Sequence, residues 1–202
     1  MHHSDSAIVT TVDALAKLLD VCGELRASEQ VDERAVTGCS FDSRAVSAGD
    51  VFFCKGAAFK PAFLRMALDA GAVAFVCEES LVESLEPLAQ ESGAAMLVVD
   101  SVRTAMALLP PEVYDRPDRD VKIVGITGTK GKTTAAFMLQ SIIKAAGESC
   151  GMIGSVSTDD GIECYESTNT TPEAPEVWRH IANCRTSGRQ SMVMEVSSQA
   201  LK

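Results

Sequence analysis

The sequence predicts an α/β protein made of two parts. Between residues 51 and 109, short apolar runs alternate with stretches of helical periodicity, which is typical of a mainly parallel sheet covered by helices. A segment rich in proline and charge then interrupts this pattern, and an apolar run, a glycine-rich stretch and another helical stretch follow it. We therefore expect an N-terminal α/β domain over 1–110, a linker over 111–120 and an incomplete second α/β domain over 121–202.

Composition and charge restrict the classes of protein to consider. Of the 202 residues, 46% are hydrophobic and 23% are charged, as in a globular protein and unlike a disordered chain. The net charge of −10 argues against nonspecific binding of nucleic acid, because that binding depends on clustered Lys and Arg. No apolar run approaches the roughly 20 residues of a membrane-spanning helix, so we expect no membrane insertion.

The seven cysteines indicate a reducing environment. Their number is odd, the closest two are 14 residues apart, and most lie in apolar segments, as buried thiols do. We therefore expect a cytoplasmic protein, and we expect it to act as a monomer.

The first part contains a regular series of predicted elements. Thr11 precedes an amphipathic stretch and is a suitable N-cap, and Pro61 has the position of a first helical residue. The series is a helix over 11–20, a strand over 51–54, a helix over 61–71, a strand over 72–78, a helix over 80–93, a strand over 94–100 and a helix over 101–109.

The second part follows the segment PPEVYDRPDRD, which holds three of the seven prolines and six charged residues. VKIVGIT predicts a buried strand, TTAAFMLQSIIKAAG a helix with an apolar face, and MVMEVSS a second buried strand. Thr171 and Pro172 suggest the start of a helix over about 173–187. Only two to three strands are expected here, too few for a complete sheet.

The stretch GITGTKGKTT, residues 125–134, indicates a phosphate-binding loop. Glycines let backbone N–H groups approach phosphate oxygens, and the helix that follows adds its unpaired donors and the positive end of its dipole. Lys132 supplies a full charge, and Thr133 offers a hydroxyl to Mg²⁺. The alternative is a tight turn without a ligand, since the first glycine of the strict pattern would fall at Ile126.

Acidic residues of the second part have different predicted roles. Glu195 ends an apolar strand, where a buried carboxylate needs a cation or a partner, so we assign it to the metal; a solvent-facing acid is the alternative. Asp159, Asp160 and Glu163 lie in a turn-like segment and are expected to be solvated.

Four motifs in order resemble the Mur ligase superfamily, and within it the MurE-type enzymes that add the third residue of the muramyl peptide stem. The glycine stretch TGTKGKTT is similar to the family's ATP-binding loop, and the segment from FDSR to VFFCKG is similar to its uridine-diphosphate-binding N-terminal domain. NTTPEAPEVWRHI and MVMEVSSQAL are similar to later segments of its central domain. The resemblance runs from about Val36 to the end of the chain.

This resemblance implies a fold and a set of site residues. The fold is an N-terminal α/β uridine-nucleotide-binding domain followed by the first part of a P-loop, Rossmann-like ATPase domain. Lys132 and Glu195 would be catalytic, and Thr133 and Glu195 would hold the metal. The ATP-binding residues would be Gly128, Thr129, Lys130, Gly131, Lys132, Thr133 and Thr134. The substrate-binding residues would be Phe41, Asp42, Ser43, Asn169, Thr170, Thr171 and Ser197.

Two of these motifs also have simpler interpretations, and one position departs from the family. Asp42 and Ser43 fit ordinary turn chemistry, and Thr171 fits a helix cap. Gln199 stands where many members have a histidine, which leaves a metal role at that position in doubt.

The implied function is ATP- and Mg²⁺-dependent amide formation in peptidoglycan biosynthesis, hence in cell wall biogenesis, cell shape and cell division. The substrates would be UDP-N-acetylmuramoyl-L-alanyl-D-glutamate and a diamino acid. The family also needs a modified lysine and a C-terminal domain beyond Lys202, so we expect the 202-residue chain alone to be inactive. The alternatives are a P-loop amide ligase of the folylpolyglutamate-synthetase type and a non-enzymatic fragment that binds only UDP-sugar.

Overall fold

The computed structural model describes residues 10–167 and 169–200. It divides into two compact units, Met1–Asp115 and Arg116–Lys202. The division lies inside the segment 111–120 that the sequence suggested as a linker. In the described part of the chain, no helix is both long and apolar enough to cross a membrane.

The first unit alternates strands and helices over most of its length. Thr11 caps the first helix as predicted, because its side chain accepts a hydrogen bond of 3.2 Å from the N–H of Ala14. The elements are α1 (Val12–Val21), β1 (Leu25–Glu29), β2 (Gly38–Ser40), β3 (Asp50–Phe53), α2 (Pro61–Asp69), β4 (Ala74–Glu78), α3 (Val82–Ser92), β5 (Ala95–Val99) and α4 (Val102–Val113).

The sheet of this unit has two covered faces. Its order is β1-β5-β4-β3-β2, in which β2 to β5 are parallel and β1 is antiparallel to β5. Successive side chains of a strand point to opposite faces, so Phe53 packs against α1 and α4, and Phe52 packs against α2 and α3. Burial of each phenylalanine contributes about 1.5–3 kcal/mol to stability. The expectation of a mainly parallel α/β layer is therefore confirmed.

Helix α4 extends into the segment that the sequence suggested as a linker. Pro110 and Pro111 lie inside it and are buried, and it ends only at Val113. Proline has a φ that suits a helix, and the Pro110 carbonyl still accepts a hydrogen bond of 3.0 Å from the N–H of Tyr114. The first three residues of the segment expected as a linker, 111–113, therefore belong to α4.

The second unit contains a mixed sheet between two helices. Its elements are β6 (Lys122–Ile126), α5 (Lys132–Ala145), β7 (Cys150–Ile153), β8 (Ser157–Asp159), β9 (Cys164–Glu166), α6 (Ala174–Thr186) and β10 (Ser191–Glu195). The order is β6-β10-β7-β8-β9, with the first three strands parallel and the last two antiparallel. In the described residues the sheet thus has five strands, more than the two to three expected, because β7 to β9 are too short to show a periodicity.

Strand β6 is not buried as the sequence suggested. It forms one edge of the sheet, and Ile123 and Val124 are 39% and 38% exposed. The apolar face of α5 is also divided, since Met138 and Ile142 are exposed whereas Leu139 and Ile143 pack on the sheet. Strand β10 is the buried strand that its sequence predicted, with Met192 and Val193 inaccessible.

Candidate functional site

The glycine stretch forms an open loop between β6 and α5. The strand ends at Ile126, the helix begins at Lys132, and Gly131 is the N-cap residue with φ of +80°. Gly128 has φ of +149°, so both positions use backbone conformations that side chains disfavour. A Cβ on Gly131 would meet no atom within 4 Å, so the space beside the loop is open. The first turn of α5 presents its backbone N–H groups to this space.

Lys132 brings a positive charge to the loop. Its Nζ donates a hydrogen bond of 3.0 Å to the carbonyl of Gly128, so the side chain lies back across the loop. Lys132 is half-buried, whereas Thr129, Lys130 and Thr134 are exposed. The ammonium group is therefore held where an anion bound to the loop N–H groups would meet it.

Glu195 lies directly beside this loop. It ends β10, which pairs in parallel with β6 so that Glu195 is opposite Ile126. Its side chain is 1% exposed. One carboxylate oxygen, Oε2, accepts hydrogen bonds from Thr133 Oγ1 at 2.9 Å and from Ser155 Oγ at 3.1 Å, and Oε1 accepts one from the N–H of Ser155 at 2.8 Å.

Thr133 and Glu195 place two oxygen atoms side by side, at a hydrogen-bond distance that is also compatible with neighbouring ligands of a magnesium ion. Mg²⁺ binds oxygen atoms at about 2.0–2.1 Å in an octahedron, so adjacent ligand oxygens are about 2.9 Å apart. Thr133 Oγ1 and Glu195 Oε2 are separated by 2.9 Å. The donor set, a hydroxyl and a buried carboxylate, also suits a hard cation, so these residues fit Mg²⁺.

Three of the four predicted acceptor-substrate residues lie close to Glu195. Thr171 Oγ1 donates to the backbone carbonyl of Glu195 at 2.9 Å and accepts from the N–H of Ser197 at 3.0 Å. Ser155 Oγ contacts Thr170 Oγ1 at 3.0 Å. The structure therefore brings Thr170, Thr171 and Ser197 close to Glu195, whereas Asn169 lines a separate small cavity.

Thr171 is not a helix cap, although its sequence context suggested one. Helix α6 begins at Ala174, and its N-cap is Glu173, which forms a reciprocal capping box with Glu176. Pro175, not Pro172, lies in the first turn. The Thr171 hydroxyl is instead used in the contacts to the end of β10.

Gly154 and Ser155 are site residues that the sequence analysis missed. They follow β7, whose carboxyl end lies next to that of β10, and a Cβ on Gly154 would come within 2.6 Å of Glu195 Oε1. The sequence shows only a glycine and a serine directly after a short apolar run. This pattern indicates a site only when β7 is known to be the neighbour of β10 in the sheet.

One acidic residue of the predicted solvated turn is buried. Asp160 is fully inaccessible and pairs with His180, whose Nδ1 is 2.6 Å from Asp160 Oδ2. Glu163 and Asp159 form ion pairs with Arg179 and Arg189. The expectation of a solvated acidic turn was therefore wrong for Asp160, because a helix 20 residues later in the chain covers it.

The first unit has its own candidate site, a cavity of about 440 Å³. The predicted residues Phe41, Asp42 and Ser43 line it, and Lys55 and Phe59 contribute from the loop after β3. The FDSR segment and the loop after β3 therefore line the same cavity.

Charges in this cavity favour an anion that carries a flat ring. The Nζ of Lys55 lies 5.1 Å from the centroid of the Phe41 ring. Arg44 also lines the cavity, and its guanidinium binds both carboxylate oxygens of Asp42, at 2.9 and 2.6 Å. These hydrogen bonds hold the pKa of Asp42 below its usual value, so this carboxylate remains an acceptor.

The fold and the site together define a class of protein. A parallel strand, a glycine loop, the lysine at the start of the following helix and an acid on the neighbouring strand are the parts of a P-loop nucleotide-binding unit. The model of the Mur ligase middle-domain family matches residues 126–202, so the second unit is similar to that family.

Curated relatives extend this similarity into the first unit. The chain is 40% identical over 167 residues to a UDP-N-acetylmuramyl-tripeptide synthetase of Lactobacillus delbrueckii subsp. bulgaricus, an alignment that covers 81% of this chain and 31% of that protein. It is 38% identical over 180 residues to the UDP-N-acetylmuramoyl-L-alanyl-D-glutamate–L-lysine ligase of Enterococcus faecalis, covering 88% of this chain and 34% of the relative. The chain thus spans about a third of the length of these relatives.

A solved structure supports the fold. The structure of a UDP-N-acetylmuramoyl-L-alanyl-D-glutamate–2,6-diaminopimelate ligase matches 96% of this chain, over 37% of its own length, with a TM-score of 0.68 and 17% identity. These comparisons confirm the resemblance to the Mur ligases, and in particular to the N-terminal part of MurE-type enzymes, that the motifs predicted.

Proposed function

We propose that this chain is the substrate- and ATP-binding part of an ATP-dependent ligase that adds an amino acid to UDP-N-acetylmuramoyl-L-alanyl-D-glutamate in peptidoglycan biosynthesis. The observation that carries the proposal is the 2.9 Å separation of Thr133 Oγ1 and Glu195 Oε2 at the glycine loop. Because the chain spans about a third of its relatives, we assign the complete reaction to a longer protein. We expect the 202 residues alone to bind ligands without ligating them.

Each part of the site has a proposed role. The loop from Gly128 to Thr134 and the Lys132 ammonium bind the phosphates of ATP, and Thr133 and Glu195 hold Mg²⁺. The segment Asn169–Thr171 and Ser197 bind the muramyl dipeptide, whose D-glutamate carboxylate is the acceptor. In the first unit, Phe41, Asp42 and Ser43 line the cavity that takes the uridine nucleotide.

The proposed reaction proceeds in two steps. A carboxylate oxygen of D-glutamate attacks the γ-phosphorus of ATP, ADP leaves, and an acyl phosphate forms. The amine of a diamino acid then attacks the acyl carbon, releases inorganic phosphate and loses a proton, which leaves an amide. Neither step needs a covalent enzyme intermediate, so the contribution of this chain is positioning and neutralisation of charge by Lys132, the loop N–H groups and the bound cation.

The biological setting follows from the same proposal. A ligase of nucleotide-linked muramyl peptides acts where ATP is available, so we propose a cytoplasmic protein that acts as a monomer in cell wall biogenesis, and through it in cell shape and cell division. The amino-acid substrate is a diamino acid: one relative is named for L-lysine and one solved neighbour for 2,6-diaminopimelate.

Binding of ATP to this chain tests the proposal. Isothermal titration calorimetry with ATP should show binding that depends on Mg²⁺, and Glu195→Gln should remove most of that dependence because the amide cannot neutralise the cation. Glu166→Gln is the matched control, since Glu166 is an exposed carboxylate on another strand of the same sheet. Absence of Mg²⁺-dependent ATP binding in the unsubstituted chain would contradict the proposal.

Substrate binding separates the alternatives. UDP-muramyl dipeptide should raise the thermal midpoint of unfolding, and a folate should not. Stabilisation by the UDP-sugar without any ATP binding would indicate a fragment that binds only the sugar nucleotide. Stabilisation by folate and not by UDP would indicate an amide ligase of the folylpolyglutamate-synthetase type.

A further inference from the structure

Ser155 contacts two parts of the candidate site at once. Its N–H donates to Glu195 Oε1 at 2.8 Å, and its hydroxyl donates to Glu195 Oε2 at 3.1 Å. The same Oγ lies 3.0 Å from Oγ1 of Thr170, in the segment proposed to bind the acceptor substrate. A serine hydroxyl has one hydrogen and two lone pairs, so it can donate to the carboxylate and accept from Thr170 at the same time.

The position of Ser155 is set by the sheet. Strand β7 pairs in parallel with β10, so the residues that follow β7 lie beside the end of the strand that carries Glu195. Gly154 has no side chain to separate the backbone from this carboxylate, since a Cβ there would come within 2.6 Å of Oε1. The N–H of Gly154 also donates to the carbonyl of Ser157 at 3.1 Å, which fixes the turn into β8. The backbone therefore holds Ser155 against Glu195.

The contacts of Ser155 with Glu195 differ in kind from the contact of Thr133. Thr133 Oγ1 donates to Glu195 Oε2 at 2.9 Å, directly between the two oxygens proposed to hold Mg²⁺. Binding of Mg²⁺ by these oxygens requires the Thr133 hydrogen to turn away, because a metal ion binds lone pairs. The two hydrogen bonds from Ser155 do not depend on that hydrogen. They can therefore keep both carboxylate oxygens oriented when the hydrogen bond from Thr133 is broken.

The acceptor-substrate segment is attached to the end of β10 at two points. Thr171 Oγ1 donates to the backbone carbonyl of Glu195 at 2.9 Å and accepts from the N–H of Ser197 at 3.0 Å. These contacts reach only the backbone of that strand and the residues after it. Thr170 instead contacts the hydroxyl of Ser155, which in turn donates to the carboxylate of Glu195. One hydroxyl group thus connects the segment to the carboxylate itself.

We propose that Ser155 is a positioning residue that couples the site for ATP and Mg²⁺ to the acceptor-substrate segment. Its hydroxyl holds Glu195 in its orientation and holds Thr170 beside it, so that order in one site favours order in the other. Coupling between two sites is reciprocal, so each ligand should raise the affinity of the chain for the other. The identity of both ligands rests on the proposed function, whereas the attachment rests on the hydrogen bonds of Ser155.

Calorimetry with both ligands measures this coupling as the ratio of the affinities for ATP with Mg²⁺ in the presence and absence of UDP-muramyl dipeptide. In the unsubstituted chain the ratio should be about three to ten, the usual range for one hydrogen bond. Ser155→Ala keeps the backbone N–H and removes the hydroxyl, so the ratio should fall to about one. Ser155→Thr keeps a hydroxyl at this exposed position and should preserve the coupling.

Ser149→Ala is the matched control. Ser149 precedes β7 and Ser155 follows it, and the Ser149 hydroxyl donates to the carbonyl of Gly188 at 3.1 Å. This substitution therefore removes a serine hydroxyl at the other end of the same strand, away from Glu195, and the ratio should remain that of the unsubstituted chain. An equal fall of the ratio in Ser149→Ala and Ser155→Ala would overturn the specific role of Ser155.

Hydrogen exchange provides a readout that needs no ligand. Ser155→Ala should speed amide exchange in residues 169–171, because Thr170 loses its contact with the hydroxyl. Ser155→Thr and Ser149→Ala should leave this exchange as it is in the unsubstituted chain. Exchange in residues 169–171 that is equal in Ser155→Ala and the unsubstituted chain would overturn the positioning role.

The proposed function and the positioning role fail differently. If the unsubstituted chain binds neither ATP nor UDP-muramyl dipeptide, the proposed function is wrong, while the exchange result still decides whether Ser155 orders the segment. If the chain binds both ligands and their affinities are independent, or are coupled equally in Ser155→Ala, the ligands stand and the coupling through Ser155 is wrong.

Discussion

Gly154→Ala should disable the proposed metal site without replacing any of its ligands. The added Cβ would lie 2.6 Å from Glu195 Oε1, whereas an ordinary contact begins near 3.4 Å, so the carboxylate has to move by about 0.8 Å. Gly154 does not use a positive φ, so its backbone accepts alanine. The hydrogen bond of 2.8 Å from the N–H of Ser155 would lengthen beyond bonding distance.

The expected loss of affinity can be calculated from the hydrogen bond between Ser155 and Glu195. A hydrogen bond to a charged group contributes about 1.5–3 kcal/mol, which corresponds to a change in affinity of about 10-fold to 150-fold. Isothermal titration calorimetry should therefore show at least about a tenfold weaker affinity for ATP with Mg²⁺, and an unchanged affinity for ATP in a chelator.

A double-substitution experiment decides whether the effect passes through Glu195. In a Glu195→Ala background there is no carboxylate to displace, so Gly154→Ala should cause no further loss. An equal loss in both backgrounds, or no loss in the unsubstituted background, would refute the steric argument.

Three other predictions concern the loop, the first unit and the buried pair. Lys132→Ala should weaken ATP binding at least tenfold by calorimetry, since a charge near a phosphate contributes about 4 kcal/mol at an effective dielectric of 20. Lys130→Ala should have a smaller effect, because the Lys130 side chain is exposed. Equal effects of the two substitutions would contradict the proposed position of Lys132 at the loop. Lys55→Ala should reduce the thermal stabilisation by UDP and leave ATP binding unchanged, and loss of both would show that the cavity is not an independent site. Because the pKa of Asp160 is lowered on folding, its stabilising contribution is present above its unfolded pKa of about 3.9 and is lost as pH falls through the folded value. Asp160→Asn should therefore reduce the free energy of unfolding at pH 7, and it should reduce the dependence of that free energy on pH below 4, as measured by urea denaturation. The same pH dependence below 4 in the variant and the unsubstituted chain would contradict a lowered pKa of Asp160.

The sequence alone predicted the features that depend on residues close together along the chain. The cap at Thr11, the alternation of the first unit and the loop from Gly128 to Thr133 depend on side chains and glycines that are neighbours along the chain. The burial of strand β6 was not predicted correctly from the sequence. VKIVGIT has the composition of an interior strand, and only the strand order shows that it is an edge.

The glycine loop, its lysine and its threonine were determined by the sequence itself, because a phosphate-binding loop is a contiguous structure whose backbone conformation follows from its own residues. The partners of Glu195 and Asp160 were decided only by the tertiary structure. Parallel pairing of β10 with β6 and β7 brings together Thr133, Ser155 and Glu195, and α6 closes over a turn that would otherwise be exposed to water. These contacts join residues 20 to 62 positions apart, a distance over which no local pattern of side chains specifies which groups will meet.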